Sequence, residues 1–340
     1  MNILIVIPQK GYLTNFINWL KTNFKDFKIS VNASLSPFCK DKFYGKLQII
    51  LCLLFNLFYL VPIFIFKKKK YDCVLLDGVL VSVPYLFLGR IFSNSKNAPI
   101  FIIHFYLHKI GSNKIIKRFL TSLLNNPSVV LLVQSTYEKN YYSCLTDKAE
   151  VMYFPYCQGE VSLSGSCGEG ENYIFAGGYT NRDYNCLINA AKKINYEFLI
   201  ICSRLNKITE KLPNLKILKD VNTEEFFCYL NNSKIVVIPL EEDTGSSGQM
   251  VALAAMFLKK AIIYTNVSCL SQYFEDGISG ICYEKGNSED LALKISYLLQ
   301  NDALCYKLGT SASKKFHESF HISRYYEFLV ELFEKNLQYQ

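Results

Sequence analysis

The chain has 340 residues, a formal net charge of +8, half of its residues hydrophobic and 15% aromatic. That length exceeds what one core usually serves, so two domains are expected, and the composition excludes a disordered or low-complexity protein. Twelve cysteines without a single C-x-x-C pair exclude a zinc ribbon and a small disulfide scaffold. Cys52, Cys73, Cys186 and Cys202 lie in apolar runs and read as buried, reduced thiols of a cytosolic protein.

The chain runs from Met1-Asn2 directly into the strand-like Ile3–Ile7, so no signal peptide is expected. Residues 1–150 hold 19 Lys+Arg against 7 Asp+Glu, whereas 151–340 hold 18 against 22. A basic first half points to an anionic partner for that half, with nucleic acid and anionic lipid as candidates. Strands are expected at 2–7, 28–32, 72–77, 99–104 and 128–133. Helical patterns lie between them, at 12–25, 79–92, 112–124 and 136–145.

Between the second and third strands, Leu47 to Phe66 carries no charge and ends on Lys67–Lys70. By length it could span a bilayer, lie on one, or be an ordinary covered helix. Gln48, Asn56 and Pro62 interrupt it, and the strand after it must join the sheet of the strands before it; both points oppose a span. A helix on the membrane, its lysines among anionic head groups, favours lipid over nucleic acid as the anionic partner.

A second strand series follows at 172–176, 196–202, 215–218, 234–239, 260–264 and 280–283, again with helices between. The expected fold is α/β, two doubly wound Rossmann-like domains facing across a cleft. The boundaries expected are 1–157, a Gly/Ser-rich linker at 158–171, a second domain at 172–322, and a C-terminal helix at 323–340 packing back on the first domain. In that helix Tyr326, Leu329, Leu332 and Phe333 share a face.

Open parallel sheets bind ligands at the carboxyl ends of their strands. Two such ends in the second domain suit an anion. Tyr173–Gly178 is a strand ending in a Gly pair, followed by Arg182 at a helix start with Asp183 as its cap. Ile235–Leu240 leads through Gly245-Ser246-Ser247-Gly248 into the helix opening at Gln249, where free N–H groups and two hydroxyls would face a ligand. Arg204 is a further anion contact. In the first domain His104 and Asp77 end apolar strands and are candidates for acid–base or acceptor contacts.

The second domain resembles the donor-binding domain of GT-B glycosyltransferases of family 4, also called group 1. Phe175-Ala-Gly-Gly178 with Arg182-Asp183, Pro239-Leu240, Gly248–Val251 with Ala255-Met256, and Phe274–Gly280 carry the likeness in order. The first domain is similar more loosely, at Tyr71–Val74, His104 and Gln134-Ser135. The resemblance implies transfer of a sugar from a nucleoside-diphosphate sugar, as substrate, to a lipid-linked or polysaccharide acceptor of the bacterial surface type, with retention. It implies a diphosphate site at Gly178, Arg182, Ser246, Ser247, Gly248 and Gln249, a histidine near the sugar at His104, and a cleft-lining glycine loop at Gly11.

The chain departs from the family at two glutamates, replaced by Ser246 and Ala254, and at a lysine after the glycine loop, leaving Arg182 alone. It has no D-x-D pair, so catalysis without metal and without a resident cofactor is expected. The expected protein is a metal-independent glycosyltransferase, cytoplasmic and peripheral at the inner face of the membrane. A sugar-nucleotide 2-epimerase of similar plan and a non-catalytic partner subunit are the alternatives. No G-x-G-x-x-G follows a strand, which argues against a dehydrogenase.

Overall fold

The computed structural model describes residues 1–8, 13–33, 46–66, 71–92, 98–105, 114–163, 172–243, 245 and 247–338. Chain contacts divide it into two compact units, Met1–Phe154 with Phe328–Gln340, and Pro155–Glu327. Every strand expected from the sequence is present within two residues of its expected limits.

The first unit runs β1 (Asn2–Ile7), α1 (Thr14–Asn23), β2 (Lys28–Ala33), α2 (Lys46–Phe66), β3 (Cys73–Asp77), α3 (Val79–Ile91), β4 (Ile100–Ile103), α4 (Lys114–Leu124), β5 (Val129–Val133), α5 (Thr136–Ser143) and β6 (Glu150–Tyr153). Its sheet is parallel, in the order β2-β1-β3-β4-β5-β6. β3 and β5 are buried along their whole length, because helices cover both faces, and the one polar side chain in them is Asp77 at the end of β3. The right-handed crossover rule puts α2 to α5 on one face, since all four carry the chain in the same direction across the sheet. The core bears this out: Leu4, Val6, Val74, Leu76 and Ile102 pack with Leu60, Leu86, Leu120 and Tyr142 from those helices.

The apolar stretch of the sequence is α2. It joins β2 to β3, which flank β1 in one sheet, and packs along α3. Asn56, buried, donates from Nδ2 to the Leu80 carbonyl at 2.8 Å, and Tyr59 donates to the Ala33 carbonyl at 2.8 Å. Asn56, one of the residues that interrupt the stretch, is thus an anchor to the domain, and Tyr59 is a second. Among the described residues no helix is long and apolar enough to cross a membrane. Lys67–Lys70 lie outside the described residues.

The second unit continues with β7 (Ile174–Gly177), α6 (Tyr184–Ala191), β8 (Phe198–Cys202), β9 (Leu215–Lys219), α7 (Thr223–Asn232), β10 (Ile235–Ile238), α8 (Gln249–Phe257), β11 (Ala261–Thr265), α9 (Ser268–Ser271), β12 (Ile281–Tyr283), α10 (Ser288–Leu299) and α11 (Asp302–Lys315). A turn of π-helix, Phe316–Phe320, leads to α12 (Ile322–Gln338). The sheet order is β12-β11-β10-β7-β8-β9, all parallel. Alternate strand residues feed two cores: Phe175, Leu199, Val236 and Ile262 pack toward α7 and α8, while Ile174, Ile200, Val237 and Ile263 pack toward α6, α10 and α11.

The start of the expected linker is itself held. The Gln158 amide donates to the Phe320 carbonyl at 3.0 Å, and the Ile322 amide to that of Gln158 at 3.0 Å. Beyond it, Leu329 and Phe333 of α12 are fully buried, and Phe333 meets the Phe101 ring at 4.8 Å. Cys52, Cys73, Cys186 and Cys202 are buried free thiols. Cys228, in contrast, is disulfide-bonded, so reduced thiols do not account for every cysteine.

Candidate functional site

In the second unit the strand order reverses between β7 and β10, which are hydrogen-bonded neighbours. Both loops expected to bind an anion leave the sheet at this switch point, where open α/β sheets bind ligands. They are tied to one another. Asn181 Nδ2 donates to the Glu242 carbonyl and the Glu242 amide donates back to Asn181 Oδ1, each at 2.9 Å; the Asp183 amide donates to the Pro239 carbonyl at 3.1 Å. Asn181 sits at φ +53, a left-handed conformation that Asn tolerates better than most residues.

The two glycines do different work. A Cβ on Gly177 would meet the Phe226 ring, so this glycine admits a core side chain. A Cβ on Gly178, at φ +134, would meet the Arg182 guanidinium. The space expected to receive a ligand's close approach is filled by Arg182 itself, folded over the turn. Arg182 donates from Nε to the Gly177 carbonyl at 3.0 Å and from Nη1 to the Thr180 carbonyl at 2.8 Å. Tyr184 braces the turn from beneath, its hydroxyl donating to the Gly178 carbonyl at 2.6 Å. Asp183 caps α6 by accepting from the Cys186 amide at 2.9 Å.

Among the described residues no carboxylate pairs with Arg182. Burial lowers its pKa, and the neighbouring groups Tyr184 and Cys269 act in the opposite direction. Burial pushes the Cys269 thiol up to about 11, so it is neutral at physiological pH. A guanidinium remains protonated in proteins. The turn therefore presents a fixed, uncompensated cation.

Cys269 also links the cation to the second loop, its thiol donating to the Ser247 carbonyl at 3.7 Å. Asp243 accepts from the Ser268 amide at 2.8 Å and hydroxyl at 2.7 Å, and Thr265 accepts from the Leu240 amide at 2.8 Å, so the loop is pinned at both ends. The N-cap of α8 is Gly248, at φ +82, a residue with no side chain of its own to cap the helix. Ser247 is half-buried, Gln249 is buried, and Ser246 lies outside the described residues. Ala254, where the family's second glutamate would stand, is fully buried among apolar residues and offers no polar group.

Arg204 stands apart from this cluster. It is exposed and its Nε pairs with Asp220 Oδ2 at 2.7 Å, so its charge is already compensated.

In the first unit the structure brings together Asp77 at the end of β3 and His104 just after β4. His104 Nδ1 lies 2.7 Å from Asp77 Oδ1. Asp77 is 1% exposed and its Oδ2 has no hydrogen-bond partner among the described residues, whereas His104 is partly exposed, at φ +52. Asp77 is thus buried behind His104, and not a group open to an acceptor as the sequence suggested. Such a carboxylate fixes the imidazole's orientation and tautomer. Sequence spacing could not disclose the pair, because 27 residues separate its members. Gly11 and His108 lie outside the described residues.

Comparison with known proteins agrees with this architecture. Residues 170–301 match the family model described as Glycosyl transferases group 1. A curated relative from Methanocaldococcus jannaschii, named an uncharacterized glycosyltransferase, is 26% identical over 243 residues, covering 68% of this chain and 67% of its own length. Among solved structures, the sucrose-phosphate synthase of Thermosynechococcus elongatus aligns over the whole of both chains with a TM-score of 0.73 at 12% identity. The Anabaena HepE protein in complex with UDP-glucose aligns over 98% of this chain and 99% of its own, with a TM-score of 0.66 at 12% identity. With two parallel six-stranded sheets flanked by helices, a match to the group 1 model over residues 170–301 and a glycosyltransferase among its relatives, the chain is a glycosyltransferase with the GT-B fold.

Proposed function

We propose that the enzyme transfers a sugar from a nucleoside-diphosphate sugar to a lipid-linked or glycan acceptor, with retention of configuration and without a metal, at the cytoplasmic face of a membrane. One observation carries the donor half of this reading: a guanidinium with no carboxylate partner among the described residues is held at the switch point of the second sheet, near the glycine-capped start of α8. Cleavage of the sugar–phosphate bond leaves growing negative charge on the departing diphosphate. A fixed cation and the positive end of a helix dipole stabilise that charge without reorganising. The solved HepE complex with UDP-glucose is consistent with such a donor. On this reading His104, held by Asp77, meets the sugar.

Metal independence rests on the lack of a D-x-D pair in the sequence and on Arg182 taking the metal's electrostatic part. The acceptor class and the peripheral membrane location rest on the family resemblance, the basic first half and the apolar α2.

A thermal-shift screen with nucleoside diphosphates and their sugars tests the donor assignment. A ligand at about 100 times its dissociation constant adds roughly 2.7 kcal/mol of stability. Stabilisation by a nucleoside diphosphate and its sugar, with turnover that persists in EDTA, is the expected result. No stabilisation by any of them would overturn the donor assignment, and loss of turnover in EDTA restored by manganese would overturn metal independence.

A further inference from the structure

We propose that the outer surface of the α2–α3–α4 layer of the first unit docks onto an anionic lipid bilayer. This rests on the membrane association proposed above and moves its contact from the end of α2 to a face built by three helices.

A helix at a water-facing surface carries polar groups on its outer side. These three do not. Ile50, Leu54 and Phe58, one turn apart on α2, are exposed, with Phe58 at 74%. Phe87 and Ile91 on α3 are exposed, as is Phe92 at its end, and so are Ile115, at 78%, and Phe119 on α4. The helices form one surface: α2 packs along α3, and the Phe87 and Phe119 rings meet across α3 and α4 at 6.5 Å. Arg90 of α3 reaches α4, donating to the Ser122 hydroxyl at 2.6 Å and to the Ser122 carbonyl. A continuous apolar surface of this kind marks an interaction site.

Charge selects the occupant. None of the three helices contains Asp or Glu, and Arg90, Lys114, Lys117 and Arg118 are exposed beside the apolar residues. A bilayer receives the apolar side chains at its acyl boundary and the cations among its phosphates. A second copy meeting this face through a two-fold axis would set the same cations against each other, with no carboxylate to answer them. The sequence drew attention to α2 alone; the apolar exposure of α3 and α4 emerges only from the fold.

The test is flotation of the full chain with phosphatidylcholine vesicles, with and without phosphatidylglycerol, at low and at raised salt. The wild type is expected to float with the anionic vesicles and to leave them as salt rises. Phe58→Ser combined with Phe119→Ser should weaken binding about ten-fold or more. Lys117→Gln combined with Arg118→Gln should weaken binding to anionic vesicles by about five-fold per charge and narrow their advantage over neutral ones. All four side chains are exposed, so melting temperatures should be unchanged. Undiminished flotation of both variants, or a wild-type dimer that the Phe58/Phe119 variant dissociates, would overturn the proposal. Nucleoside diphosphate thermal shifts on the same samples separate the two ideas. A retained shift without vesicle binding sinks the docking surface alone, and vesicle binding without a shift sinks the donor assignment alone.

Discussion

The two units share one architecture and use it for opposite surface chemistry. In the second unit helix starts carry acids, with Glu224 and Glu225 on α7, Glu289 and Asp290 on α10 and Asp302 on α11. There carboxylates do their usual work at helix N-termini, where the dipole favours them. In the first unit α2, α3 and α4 hold no carboxylate, and large apolar side chains stand outward. The switch points differ too. The first sheet reverses direction after one crossover and the second after two. In the first, a histidine is held by a buried carboxylate; in the second, an arginine is held by carbonyls alone. A histidine kept in one tautomer suits a neutral or hydroxyl-bearing group, and an uncompensated guanidinium suits an anion. The contrast supports a division of labour, with the sugar read from the first unit and the diphosphate from the second.

The largest effect expected is at Arg182. If its charge meets the departing diphosphate, Arg182→Ala should lower kcat by roughly 100-fold to 1000-fold, since the charge it balances grows in the transition state. Arg182→Lys should recover only part, because a point charge cannot hold two carbonyls and a phosphate together as a planar fork does. Steady-state kinetics on folded variants check this. Near-wild-type turnover in Arg182→Ala would move the diphosphate site elsewhere. Gly178→Ala should copy the defect, because the new methyl takes the guanidinium's place and Ala is strained at φ +134. It should also lower stability by about 1–3 kcal/mol, which Arg182→Ala should not.

The next effect tests the first unit. His104→Ala should cost about 100-fold in turnover if the imidazole exchanges a proton with a reacting or bound hydroxyl. Asp77→Asn should cost less and should displace the pH profile, since the amide keeps the packing but loses the preference for one tautomer. In Asp77→Asn/His104→Ala the two losses should not add, because the carboxylate acts through the histidine. Additive losses would show that Asp77 has a separate role.

The same contrast explains how much could be read from the sequence. Eleven strands announced themselves, most of them because strands buried on both faces are runs of apolar residues, and the edge strands β2 and β9 by alternation and position. The twelfth, β6, did not: Glu150–Tyr153 is four residues at the sheet's edge, exposed at one end and too short to stand out. α2 was legible as a helix between two strands of one sheet, and the pairing of β1 with both β2 and β3 bears that out. At the site, Gly178 and Arg182 stood out by composition, yet their sequence suggests a gap for a ligand where the fold seats the arginine over the glycine. Asp77 looked like an available carboxylate because a strand's end is usually open, and only its neighbour on the adjacent strand closes it. Such contacts depend on which strands become neighbours, and residue order alone does not carry that.

The smallest effect concerns the tie between the two anion-facing loops. Asn181 exchanges two hydrogen bonds with Glu242 while sitting in the left-handed region. Asn181→Ala should lose both bonds and keep the conformational cost, whereas Asn181→Gly should lose the bonds and relieve it. A net hydrogen bond is worth about 1 kcal/mol, and left-handed backbone costs a non-glycine residue about 1–2 kcal/mol. Asn181→Ala should therefore lower unfolding stability by about 2 kcal/mol or more, and Asn181→Gly by less, as read from denaturant midpoints. If the tie also holds the loops in register for the diphosphate, both variants should weaken nucleoside diphosphate binding by a similar factor despite their different stabilities. Binding that tracks stability would mean that the tie serves the fold only. Binding lost equally in both would mean that the second unit fixes its anion site by loop-to-loop hydrogen bonds, as the first fixes its histidine by a buried carboxylate.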